Sequence, residues 1–129
     1  MFERSYIVTK SKLRERSVGQ RFDARMRREL EDLTAGVCRA LSDPKRLLIL
    51  YALSERPRAV GELAELLEVS SSNVSQHLAL LRDRGLVDAE RDANRVIYTL
   101  RDGRVVGALD TLRAVMGDDL DRRRALRLG

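Results

Sequence analysis

Residues 70–87 read SSSNVSQHLALLRDRGLV, and they decide the fold. Serine hydroxyls accept hydrogen bonds from the unpaired N–H groups of a first helical turn, so Ser70, Ser71 and Ser72 mark a helix start. Val74, Leu78 and Leu81 then recur at i, i+4 and i+7, which is one buried face of an α-helix. Gly85, directly after Arg84, supplies the stop, because glycine takes the left-handed conformation at little steric cost. The opposite face keeps Ser72, Asn73, Ser75, Gln76 and Ala79, all short and uncharged. A helix whose outer face only had to be soluble would carry Glu and Lys there. This bare polar face is built for close approach to another molecule.

Working outward, AVGELAELLEVS (59–70) is a short helix with Val60, Leu63, Ala64 and Leu67 inward and Glu62, Glu65 and Glu68 outward. Three outward glutamates repel a phosphate backbone, so this helix supports and the next one reads. Two short helices a few residues apart, the second polar at its N-terminus, form the helix-turn-helix pattern. Upstream lies SDPKRLLILYAL (42–53), where Asp43 caps and Pro44 takes the first helical position. Leu47, Leu50 and Tyr51 share one side while Leu48 and Ile49 widen the apolar band, so this helix is expected to be largely buried. Pro57 ends it.

After Gly85 the apolar period falls to two. LVDAERDANRVIYTL (86–100) predicts a hairpin, with Val87, Ala89 and Arg91 on one strand face and a turn at Asp92-Ala93-Asn94. In the return strand Val96, Tyr98 and Leu100 alternate with Arg95, Ile97 and Thr99. A two-stranded ribbon is marginal alone and has to pack on the helices. Its tip, with Arg91, Asn94 and Arg95, then projects as a wing.

Two stripes remain. From about Arg21 a first helix carries Met26, Leu30, Leu33, Val37 and Leu41, and a last helix carries Val105, Leu109, Leu112 and Met116. The core of one small helix-turn-helix unit is too small to cover both. Pairing of the first and last helices across a two-fold axis is the expected solution, with Met26, Leu30, Leu33, Val37, Val105, Leu109, Leu112 and Met116 as the dimer interface. The expected organisation is a basic arm over 1–20, the DNA-binding and dimerisation domain over 21–118, and a basic tail over 119–129 holding Arg122, Arg123, Arg124 and Arg127.

Composition fits one globular domain: 129 residues, 43% hydrophobic and 35% charged. Of the net charge of +5, all sits in residues 1–30, which hold nine Lys or Arg against four Asp or Glu. Such an end suits a polyanion, with a solvated helix face as the competing reading. No stretch reaches the roughly 20 apolar residues of a membrane span, and MFERSYIVTK lacks the apolar core of a secretory signal. A single cysteine, Cys38, excludes an intrachain disulfide, so a cytoplasmic protein is expected. Cys38 is expected to be small and buried; a redox role would require exposure at the dimer axis. There is no Ser-His-Asp ordering outside the helix-turn-helix, no glycine-rich phosphate loop and no HExxH motif, so neither an enzyme nor a cofactor is expected.

Ala40–Leu100 strongly resembles the ArsR/SmtB family of bacterial winged helix-turn-helix repressors, through the LSDPKRL opening, the SSNVSQHLALLRDRGLV segment and the VIYTL wing, in order and spacing. The resemblance implies a mainly α fold with a small β-hairpin: four helices, two strands and a last helix, dimerising through the first and last. It implies a homodimer that sits on double-stranded operator DNA and leaves it on an effector signal, here unknown. Some members hold a metal through cysteines of the third helix, where this chain has Ala59 and Gly61. Others use the last helix, where the matching positions hold Asp102, Arg104, Val115 and Asp118. Soft metals favour thiolate and imidazole, so no metal site is expected.

Within that frame Ser71, Ser72, Asn73, Ser75, Gln76 and His77 are the DNA-facing set, joined by Arg82. Gln76 and Asn73 match the adenine edge. Lys45 and Arg46 are expected to anchor phosphate, and Arg91, Asn94 and Arg95 to touch the backbone or minor groove, opposed by Asp88, Glu90 and Asp92. His77 is the only histidine and belongs to DNA contact or helix packing. A winged-helix module for protein–protein assembly is the alternative. RNA binding is disfavoured by three Tyr, two Phe and no Trp, few platforms for base stacking.

Overall fold

The computed structural model describes residues 22–128, so the arm expected over 1–20 lies outside the described residues. Helix α1 spans Ala24–Leu33. Its start is three residues later than periodicity alone places it, because the Asp23 carboxylate accepts from the Met26 N–H at 2.7 Å. The Thr34 hydroxyl donates to the carbonyls of Leu30 and Glu31, a back-bond that bends helices, and a single π-helical turn follows over Thr34–Cys38. No residue of α1 is buried; Met26, Leu30 and Leu33 are 41%, 48% and 44% exposed. The described residues divide after Cys38, with 22–38 in one unit and 39–128 in a second.

The second unit contains α2 (Pro44–Glu55), β1 (Arg58–Ala59), α3 (Val60–Leu67), α4 (Ser71–Asp83), β2 (Val87–Asp92), β3 (Arg95–Leu100) and α5 (Arg104–Leu128). Its core is Ile49, Leu50, Leu63, Val74, Leu78, Leu81 and Val87, all fully buried, so the Val74-Leu78-Leu81 stripe lies inside as expected. Asp43 accepts from the Lys45 and Arg46 N–H groups and Pro44 opens α2, also as expected. The inner side of α2 is different. Ile49, Leu50, Ala52 and Leu53 face the core, whereas Leu48 is 55% exposed and Leu47 and Tyr51 are half-buried. The core covers one side of this helix only, so its broad apolar band is not buried all round.

Both helices of the helix-turn-helix end in the same motif. After α4 the Leu86 N–H donates to the Leu81 carbonyl at 2.9 Å and the Gly85 N–H to Arg82 at 3.0 Å, with Gly85 at φ +78°. After α3 the Val69 N–H donates to Ala64 and the Glu68 N–H to Glu65. Glu68 therefore occupies the left-handed position, at φ 56° and ψ 44°, that glycine favours. Glu68→Gly is expected to raise stability by about 1 kcal/mol, roughly 5 °C in thermal unfolding; an unchanged or lower midpoint would refute the strain.

One strand was not anticipated. β1 pairs with β3, Arg58 opposite Tyr98 and Ala59 opposite Ile97, which gives a three-stranded antiparallel sheet in the order β1-β3-β2. Two residues are too few to show alternation, so Pro57 read only as a break. Arg58 is buried, its Nε donating to the Ala52 carbonyl at 3.0 Å near the end of α2. The hairpin runs in register from Val87 opposite Leu100 to Asp92 opposite Arg95. Its turn is thus Ala93-Asn94, one residue shorter than expected, with Ala93 at φ 55°. α5 continues unbroken through 119–128, the stretch expected as a tail.

Candidate nucleic-acid interface

Ser70 caps α4, its hydroxyl accepting from the Asn73 N–H at 3.1 Å. This leaves Ser71, Ser72, Ser75 and Gln76 exposed on the first turns, with no side-chain hydrogen bond to other described residues. Asn73 is half-buried, and its Oδ1 is buried without a partner. Lys45 is exposed in the first turn of α2, and Arg82 is exposed in the last turn of α4. Gln76 and the exposed serines can donate and accept at base edges, and the lysine and arginine can meet phosphate.

Arg46 is placed otherwise. Its side chain is only 13% exposed. Nε donates to the Ala40 carbonyl at 2.7 Å, Nη2 to the Arg39 carbonyl at 3.2 Å, and Nη1 stands 3.4 Å from His77 Nδ1. The Asp43 carboxylate lies 3.9 Å from the same guanidinium. Partial burial works against ionisation of Asp43, yet the Lys45 and Arg46 N–H groups, with the nearby guanidinium, hold its carboxyl below the usual value. Charge alone marked Arg46 as an outward anchor; its partners are the turn just ahead of α2 and, from elsewhere in the fold, His77.

At the wing, Arg91, Asn94 and Arg95 are all exposed. Arg95 comes within 3.9 Å of Glu62, which also accepts from the Ala59 N–H at 3.3 Å and pairs with Arg56 at 3.0 Å. The Ala59 N–H, then Arg56, keeps the Glu62 carboxyl below the usual range. Glu62, expected to point outward, is half-buried and fastens the start of α3. Asp88 receives two bonds from Arg101, at 2.7 and 3.0 Å, which lower its carboxyl and offset its charge beside the wing. Sequence pattern does not single out Arg101, because it follows the end of β3 and its partner lies on β2.

The expected interface residues divide. Met26, Leu30, Leu33, Leu112 and Met116 are exposed, Val37 and Val105 are half-buried, and Leu109 is 7% exposed, part of the protomer core. Val115 and Leu120 are exposed beside Leu112 and Met116; their spacing of three and eight residues from Leu112 was the signal for them. Cys38 is exposed, not buried: it lies in the π turn, and neither α1 nor that turn has a buried residue. Arg104 occupies Asp102 through side-chain and backbone bonds that hold its carboxyl at about 2. Among the described residues no group of three or more His, Cys, Asp or Glu comes together as metal ligands, and no helix is long and apolar enough to cross a membrane.

Residues 43–89 match the model of the bacterial regulatory protein arsR family. The chain is 45% identical over 82 residues to the HTH-type transcriptional regulator YgaV of Escherichia coli K12, covering 63% of this chain and 83% of that protein. It is 41% identical over 90 residues to the nodulation protein NolR of Rhizobium meliloti, covering 70% and 74%. Its fold is similar to the solution structure of the homodimeric winged helix-turn-helix DNA-binding domain of a possible ArsR-family regulator from Mycobacterium bovis. That match has TM-score 0.68 and 28% identity over 82% of this chain and 95% of that one. The crystal structure of NolR from Sinorhizobium fredii matches with TM-score 0.66 and 38% identity over 76% and 97%.

Proposed function

We propose, from the premise that this chain belongs to the ArsR family of bacterial regulatory proteins, that it is a homodimeric repressor reading a specific duplex through α4. The observation that carries the reading is the unbonded, uncharged face of Ser71, Ser72, Ser75 and Gln76 at the exposed start of a helix whose other side is locked into the core. A helix presented in this way enters a major groove with its first turns against base edges. Asn73 and His77 border that face. Lys45, Arg82, Arg91, Asn94 and Arg95 supply phosphate or minor-groove contacts, with Arg95 drawing also on Glu62.

Dimerisation follows from the exposed stripes of α1 and α5. A second copy of the chain covers such stripes, and the pair sets two α4 helices one helical turn of DNA apart, ~34 Å, or a multiple of it. Occupation of a promoter by such a dimer excludes other proteins, which is the physical basis for repression; an effector that alters the spacing between the two α4 helices releases it.

Gln76→Ala tests the reading. Loss of a two-bond contact to one base is expected to weaken binding to the chain's own promoter about tenfold to a hundredfold and to relax preference at that one position. Affinity for random duplex should stay the same in gel-shift competition. A variant that binds its promoter like the parent would remove α4 as the reader, and a parent that prefers no duplex would favour the assembly module.

A further inference from the structure

Among the described residues, side-chain hydrogen bonds join different helices at two places, and α2 takes part in both. At one end the Tyr51 hydroxyl donates to Asp110 of α5 at 2.6 Å, with Arg113 stacked 5.4 Å over the Tyr51 ring. At the other, Arg46 meets His77 of α4. The Arg46 guanidinium is held in place by acceptors that side-chain motion does not remove, the carbonyls of Arg39 and Ala40 just ahead of α2. A guanidinium stays protonated and only donates. The His77 Nδ1 facing it at 3.4 Å must therefore offer a lone pair, with the imidazole proton on Nε2. His77 directly follows Gln76, so its anchoring fixes the rotation of the exposed face about the α4 axis.

The geometry points to Arg46 as a positioning residue that latches α4 through His77, and not as a phosphate contact. The side chain is mostly inside, its hydrogen-bonding groups are turned to protein acceptors, and the Asp43 carboxylate offsets its charge. A phosphate anchor would need that fork free. The inference draws on the regulator reading only for its DNA measurements; the latch itself is a property of the free chain.

The test has a part for each. Because His77 is the sole histidine, its ring nitrogens are unambiguous in nitrogen-15 NMR of the full chain, and the neutral ring is expected as the Nε2–H tautomer. A dominant Nδ1–H tautomer would overturn the latch whatever the chain binds. On the preferred duplex, Arg46→Lys keeps the charge but loses the planar fork, and is expected to weaken binding about tenfold, the size of one lost charge-assisted hydrogen bond. Arg46→Gln is expected to do the same with the slope of affinity against salt unchanged. Parent-like binding by Arg46→Lys, or a slope reduced by about 0.9 in Arg46→Gln, one phosphate's worth, would make Arg46 a backbone anchor instead. Should the Arg46 variants lose their cooperative thermal transition, His77→Phe, which keeps an aromatic ring and removes the acceptor, carries the test: about tenfold weaker binding supports the latch, and parent-like binding ends it. A parent chain with no preferred duplex would defeat the regulator reading, and the tautomer would still decide the latch.

Discussion

Leu112→Asp is expected to leave the protomer folded, to make it monomeric, and to weaken operator binding by at least about a hundredfold. Leu112 is 62% exposed in the single chain, so a carboxylate there stays hydrated and costs the protomer little. In the proposed dimer the same position is covered by a second copy. An unpaired carboxylate buried in an apolar seam is strongly unfavourable, more so with Val115, Met116 and Leu120 beside it. Loss of the dimer separates the two α4 helices, and each half-site is then bound without the effective concentration its twin supplied, a factor of about a hundred to ten thousand. Sedimentation gives the mass and a gel shift the affinity. A variant that remains dimeric and binds like the parent would remove this stripe of α5 from the interface.

The second large effect concerns the anchor of α4. Leu78 is fully buried, on the face of α4 opposite Gln76. Leu78→Ala is expected to lower unfolding free energy by about 3 kcal/mol, from lost transfer energy and the cavity left behind. That is a large share of the 5–15 kcal/mol typical of a small domain, and it corresponds to a fall of roughly 15 °C in midpoint. Denaturant unfolding measures it. A loss under about 1 kcal/mol would mean that neighbours close the gap and that the α4 stripe is not the keystone of the core.

These expectations rest on features of unequal visibility. The caps at Asp43 and Ser70, the stop at Gly85 and the Val74-Leu78-Leu81 stripe are local chemistry, decided within a turn or two of chain, and all were legible. The change from helical to strand period after Gly85 was legible for the same reason, to within one turn residue. β1 was not. Its identity as a strand comes from pairing with β3, some 40 residues away, and nothing in two residues announces a partner. Glu68 gave no sign either, because a glutamate enters the left-handed region only when the packing of α3 against α4 demands that turn.

Composition, periodicity and turn chemistry alone thus determined the order of helices and hairpin and which residues share the bare, uncharged face of α4. Only the tertiary structure decided which apolar and charged side chains have work inside the protomer. It drew Leu109 into the core and left Leu48 out, bonded Arg101 to Asp88, and set Arg46 against His77 of α4. The physical reason is range. Capping and amphipathicity act between neighbours along the chain, whereas burial and ion pairing depend on which distant group folding brings alongside.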